Sequence, residues 1–139
     1  MKSLALSVAF AFALAATPAA ADFVQFQSPT GNIHCYIYTD GSEGEARCDL
    51  IDLTPTFRRP PPGCFEGDWG AYFTVSLYGR RGLLACVGDS AVDRGSMVLN
   101  YSRSLSVGGF TCASEETGMT CTNPAGHGFS VARAKQQLF

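Results

Sequence analysis

Six cysteines constrain this chain more than any other feature. Cys35, Cys48, Cys64, Cys86, Cys112 and Cys121 are its full complement. An even number of cysteines in a small exported chain reads as a disulfide framework, here of three bridges. Metal ligation is the weaker reading. The sequence has no C-x-x-C pair and no closely spaced histidine pair of the kind that zinc sites use. No metal and no cofactor are therefore expected. The strand pattern between the cysteines narrows their pairing.

Export is read from the first 21 residues, MKSLALSVAFAFALAATPAAA. One positive residue, Lys2, precedes an apolar run over 4–16, and Ala19 and Ala21 occupy the A-x-A positions of a secretory signal peptide. The run is short for a membrane span. No cysteine stands at the cleavage point to carry a lipid, and no second long apolar segment follows. The expectation is a mature chain of residues 22–139, a single disulfide-bonded β domain. It would be monomeric, without a membrane anchor, in the periplasm or outside the cell. The formal net charge is −2, and cleavage removes Lys2, so the mature chain is more acidic still. A general nucleic-acid binder needs a basic stripe to neutralise phosphates, so nucleic acid is not expected as a partner.

Glycine, proline and β-branched or aromatic residues alternate in an all-β rhythm, with almost no helical periodicity. The expected fold is all-β: a small antiparallel sandwich or partly closed barrel of hairpins. Ser28-Pro29-Thr30-Gly31 suits a type I turn. After it, Ile33, Cys35 and Ile37 point one way, and His34, Tyr36 and Tyr38 the other. A type II′ turn at Gly41-Ser42, where glycine supplies the positive φ, fixes a register. It sets Cys35 opposite Cys48, Ile33 opposite Leu50 and Ile37 opposite Ala46. Facing strand positions are close enough for a disulfide. The same register sets His34 opposite Asp49, Tyr36 opposite Arg47 and Tyr38 opposite Glu45, which predicts a polar, aromatic-rich face behind an apolar one.

Residues 54–70, TPTFRRPPPGCFEGDWG, interrupt the rhythm, and their prolines favour an extended loop without ladder hydrogen bonds. Residues 71–78 and 83–87 form a predicted hairpin with Phe73, Val75 and Leu77 on one face. Residues 97–101 are a predicted strand that continues with a bend towards Val107. A four-residue loop at 115–118 aligns Cys112 with Cys121, leaving Cys64 for Cys86. Each bridge is expected to contribute roughly 3 kcal/mol by restricting the unfolded chain.

The stretches SPTGNIHCYI, ARCDL, DWG, LLACVGD, GFTCASEETGMTCTN and GHGFSVAR together resemble a family of small secreted bacterial proteins, domain of unknown function 6636. The most specific marks are the S-P-x-G-N-I-x-C opening and the G-H-G-F close. The likeness covers nearly all of the mature chain. It implies a secreted disulfide-containing domain with no established activity, and it supplies no catalytic residues.

Four residues stand out as binding candidates: His34, Tyr36, Tyr38 and His127. A carboxylate facing an imidazole can orient it as a general base, but His34 with Asp49 reads first as an exposed cross-strand pair that supports its hairpin. His127, between Gly126 and Gly128 and after the turn-forming Asn123-Pro124, reads first as part of a hairpin loop entering the final strand. A hydrolase using His34 or His127 would also want a cation, and nothing in the spacing selects among Arg47, Arg80, Arg81 and Arg133. No G-x-S-x-G elbow is present, and no catalytic residue is assigned. Tyr36 and Tyr38 combine apolar area with a polar tip, as interface residues do. The expected function is a non-enzymatic binding or interaction module for a protein or small-molecule ligand. The alternatives are a small secreted hydrolase and an inhibitor of an exported enzyme that presents residues 56–63.

Overall fold

Period-two alternation gives each strand one apolar face, and two such faces must meet to leave water. The computed structural model describes residues 20–139. The predicted signal peptide lies outside the described residues except for its last two positions. Among the described residues every regular element is a strand. The first sheet contains β1 (Asp22–Gln27), β2 (Ile33–Thr39), β3 (Gly44–Leu50), β4 (Trp69–Ser76), β5 (Leu83–Cys86) and β6 (Met97–Val98), in the order β5-β4-β3-β2-β1-β6. The second contains β7 (Arg103–Val107), β8 (Phe110–Glu115), β9 (Gly118–Thr122), β10 (Gly128–Val131) and β11 (Gln136–Leu138), in the order β11-β10-β9-β8-β7. The fold is all-β, as predicted, with two sheets rather than a closed barrel.

Both hairpin registers are as predicted. Cys35 faces Cys48 and Cys112 faces Cys121, with Cα atoms 4.1 Å apart in each pair. The third bridge joins Cys64 to Cys86 and ties the irregular 54–70 stretch to the edge of the first sheet. The apolar faces of the two sheets form one cluster around four fully buried phenylalanines, Phe26, Phe73, Phe110 and Phe129. Burying each contributes about 1.5–3 kcal/mol. Phe73 of the first sheet meets Phe129 of the second at 6.3 Å between ring centroids. At the centre the two hairpin disulfides touch, with Cys48 Sγ 3.7 Å from Cys121 Sγ. All of these sulfurs are in disulfides, so this is van der Waals contact. The nearby trio Cys35, Cys48 and Cys121 offers no thiolate to a metal.

The structure corrects four details. The 115–118 loop is tighter than expected: Glu115 still pairs with Gly118, so only Glu116 and Thr117 form the tip. Residues 97–107 are not one bent strand. Met97–Val98 runs parallel to β1, and the chain then turns, with Arg103 N donating to Asn100 O at 3.2 Å and Ser102 at φ 63°. This turn carries the chain from one sheet to the other. The hairpin of 71–78 is shifted, since β4 begins at Trp69 and ends at Ser76. Finally, β10 is not the last strand. A turn closed between Ala132 and Lys135 returns the chain as β11. The sequence KQQLF hid this strand because its buried residue is polar. Gln136 is almost fully buried, and its side chain bonds Thr54 O, Ala132 O and the Thr56 amide, docking the long loop.

Candidate functional site

The register of four neighbouring strands makes a grid on the face of the first sheet that points away from the second. Phe23, Tyr38, Glu45 and Ser76 form one row. Gln25, Tyr36, Arg47 and Thr74 form the next, and Gln27, His34, Asp49 and Tyr72 the third. The predicted polar, aromatic face is therefore real, but its two ends differ.

The third row and Arg47 are covered by a strap, residues 87–96. Arg47 Nε donates to Asp49 Oδ1 at 2.7 Å, and the pair is buried. A second guanidinium nitrogen donates to Val87 O at 2.5 Å, and the ring of Tyr72 lies 5.4 Å from the cation. Asp49 Oδ2 accepts the Ala91 amide at 2.8 Å. Gln27 Nε2 donates to Arg94 O and Ser96 O at 3.2 and 2.8 Å and pins the far end of the strap. Burial works against the charge on Arg47, but the hydrogen bonds and charge of Asp49 outweigh it and hold the guanidinium proton more tightly than usual.

His34 belongs to this covered end, which corrects the expectation of an exposed pair with Asp49. Its register partner is Asp49, yet the Asp49 carboxylate is engaged by Arg47 and the strap. The His34 ring is fully buried. Its Nε2 donates to Gly31 O at 2.9 Å, and its Nδ1 has no partner. The reason is competition: an arginine two residues along the same strand offers the carboxylate a stronger, charge-assisted bond.

The first row and Tyr36 remain open. Phe23 is 60% exposed and Tyr38 38%, and Tyr36 is half-buried with its ring 5.6 Å from that of Phe23. Tyr36 donates its hydroxyl hydrogen bond to Glu45 Oε1, and Thr74 Oγ1 donates to Oε2 at 2.9 Å. Burial, then the hydrogen bond and charge of Glu45, push the Tyr36 phenol well above its ordinary range, so it stays a donor. Tyr38 stands between two depressions. One, of about 320 Å³, is lined by Phe23, Tyr36, Tyr38, Glu45 and Asp89 among others. The other, of about 370 Å³, lies between Tyr38, Glu43, Glu45 and the exposed Tyr78. Neither has a lysine or arginine among the described residues that line it.

His127 is elsewhere. It is half-buried in the β9–β10 loop, whose hub is Asn123. Asn123 Oδ1 accepts the amides of Ala125 and His127, each at 3.1 Å, and Asn123 Nδ2 donates to Ser76 O and Gly79 O in the first sheet. Gly126 has φ 84°, and a Cβ on Gly128 would lie 1.9 Å from Cys121 O, so backbone geometry requires both glycines. Ser76, where this loop is tied, is four residues along β4 from Tyr72, whose row contains His34. That is ~13 Å of strand, and His34 points to the outer face. The structure does not bring the two histidines together. Nor does it gather one arginine between them: Arg47 is buried against Asp49, Arg133 pairs with Asp52 at 2.7 Å, and Arg80 and Arg81 are exposed in the β4–β5 turn, which docks on the His127 loop through Gly79 O.

Sequence reasoning missed Phe23, Thr74, Tyr78 and Asp89 as parts of the open site. Phe23 was recoverable only as a neighbour of this face: extending the Ser28–Gly31 turn backwards pairs β1 with β2 but sets Phe23 opposite Tyr36, and the observed register, shifted by two residues, sets it opposite Tyr38. Asp89 and Tyr78 lie in irregular loops, where no register reaches. A third cleft, of about 330 Å³, opens beside the 28–33 turn. There Asn32 exchanges hydrogen bonds with the backbone of Asp52, Nδ2 donating at 2.9 Å and Oδ1 accepting at 2.8 Å, while Ser28 Oγ accepts the Ile33 amide.

Both marks of the sequence resemblance thus have structural explanations. Ser28 and Asn32 organise the opening turn, and the glycines around His127 fit the β9–β10 loop. Comparison with curated proteins and with solved structures finds no match. A family model does match, over residues 5–139, nearly the whole chain. The chain belongs to that family, described as a family of unknown function (DUF6636).

Proposed function

We propose that this chain is an exported, non-enzymatic binding module that receives its ligand on the open end of the outer face. One observation carries the reading. Phe23 and Tyr38 are held in the open by a disulfide-stapled sheet, with Tyr78 exposed in the turn after β4, while the other end of the same face is covered. Exposed aromatic groups around a concave surface are what a binding site presents. Three disulfides in a small chain are typical of extracellular proteins, and the signal-peptide pattern supports the same compartment.

The experiment is a fragment and solute screen by two-dimensional NMR on the oxidised protein. Ligand-induced shifts should cluster on Phe23, Tyr36, Tyr38 and Glu45 and disappear in Tyr38→Ala. Hits that cluster instead on the β9–β10 loop around His127 would sink the reading. The hydrolase alternative draws no support from geometry, because His34 is enclosed and its facing carboxylate, Asp49, is engaged by Arg47 and the strap.

A further inference from the structure

We infer that the depression between Phe23, Tyr36 and Tyr38 binds a small quaternary ammonium compound of choline size, free in solution. This inference rests on the binding-module reading and names the ligand class. Three aromatic side chains line one depression of about 320 Å³, at the small end of ligand sites. A cation within about 6 Å of an aromatic centroid is attracted by the ring's negative face, and quaternary ammonium groups are ligands that aromatic walls select; here Phe23 and Tyr36 pack together as one wall, with Tyr38 beside them. A quaternary nitrogen donates no hydrogen bonds, so it loses less than a protonated amine does when it leaves water for aromatic walls.

The charge of the site agrees. Glu45 and Asp89 line the depression, and no lysine or arginine among the described residues does. Arg47, the nearest cation on the sheet, is neutralised by Asp49 and turned towards Val87 under the strap. Glu45 is positioned by Tyr36 and Thr74 and is not consumed by an ion pair. Both its donors are neutral, so its negative charge remains available to a cation. An anionic or phosphate-bearing ligand would meet two carboxylates and no counter-charge.

The test titrates the oxidised protein with choline, tetramethylammonium and 3,3-dimethylbutan-1-ol, the neutral isostere of choline, following Phe23, Tyr36 and Tyr38 resonances. Choline and tetramethylammonium should saturate, and the isostere should bind roughly tenfold more weakly or worse. Glu45→Gln and Asp89→Asn should each weaken choline and leave the isostere unchanged, and their retained amide spectra would show that the fold survives. Equal binding of choline and its isostere overturns the inference. So does binding only to phosphatidylcholine vesicles, which would make the occupant a membrane surface. If an uncharged hit from the screen shifts this face and choline does not, the cation inference fails and the binding-module reading stands. If nothing shifts this face, both fail.

Discussion

The covered and open ends of the first sheet's outer face come from the same strands and a few residues of the same register. At the covered end, Arg47, Asp49 and His34 sit beneath a strap whose backbone helps satisfy the ion pair. At the open end, Phe23 and Tyr38 have no covering segment, and the polar groups satisfy one another within the sheet. A buried charge demands a partner and a lid. An aromatic ring with a polar tip tolerates water and can wait for a ligand. The contrast separates stability from recognition on a single surface.

Asp49→Ala should break the comparison most severely. It leaves Arg47 buried and unpaired, and the expected loss is about 3–5 kcal/mol in urea unfolding. The double variant Arg47→Met with Asp49→Leu should recover most of that loss; failure to recover would mean that the strap needs the carboxylate itself. Gln27→Ala, which releases the strap from Arg94 O and Ser96 O, should cost about 1–2 kcal/mol and raise amide exchange at Ala91 and Ser96.

Tyr36 gives a pH test. Its folded pKa lies above its unfolded value of 10.0. Its contribution is therefore complete below pH 10 and is lost as pH rises from there towards the folded value. Stability should fall above pH 10 with a slope below about 1.4 kcal/mol per pH unit, and Tyr36→Phe should remove that part of the slope. The smallest effect is expected at the open end. Phe23→Ser and Tyr38→Ser should change stability by no more than about 0.5 kcal/mol while abolishing ligand-induced NMR shifts. A loss above 2 kcal/mol would show that these rings are structural after all.

One hairpin of each sheet was legible because two turns fix two registers, and each register aligns a pair of cysteines. Alternation in Ile33–Thr39 identified which side chains share the outer face. It could not reveal what lies over that face. The strap is irregular, and its grip on Asp49 uses the Ala91 backbone amide, which every non-proline residue carries. That is why His34 read as exposed and is enclosed. The same limit hid Asp89 and Tyr78. The β11 strand was illegible for a different reason: its inward residue is Gln136, whose burial depends on the carbonyl of Thr54 and the amide of Thr56, distant in sequence.

The contact between Cys48 and Cys121 has a kinetic consequence. Reductant attacks a sulfur along the disulfide axis and needs room to approach. Both hairpin bridges are sealed between the sheets, with all four cysteines fully buried, whereas Cys64 and Cys86 are partly exposed. In dilute thiol, Cys64–Cys86 should open first and release the long loop. The central pair should then resist until the sheets part, and both should go together. The rate at which those last two bridges disappear is a clock for separation of the two layers, readable by mass spectrometry without any label.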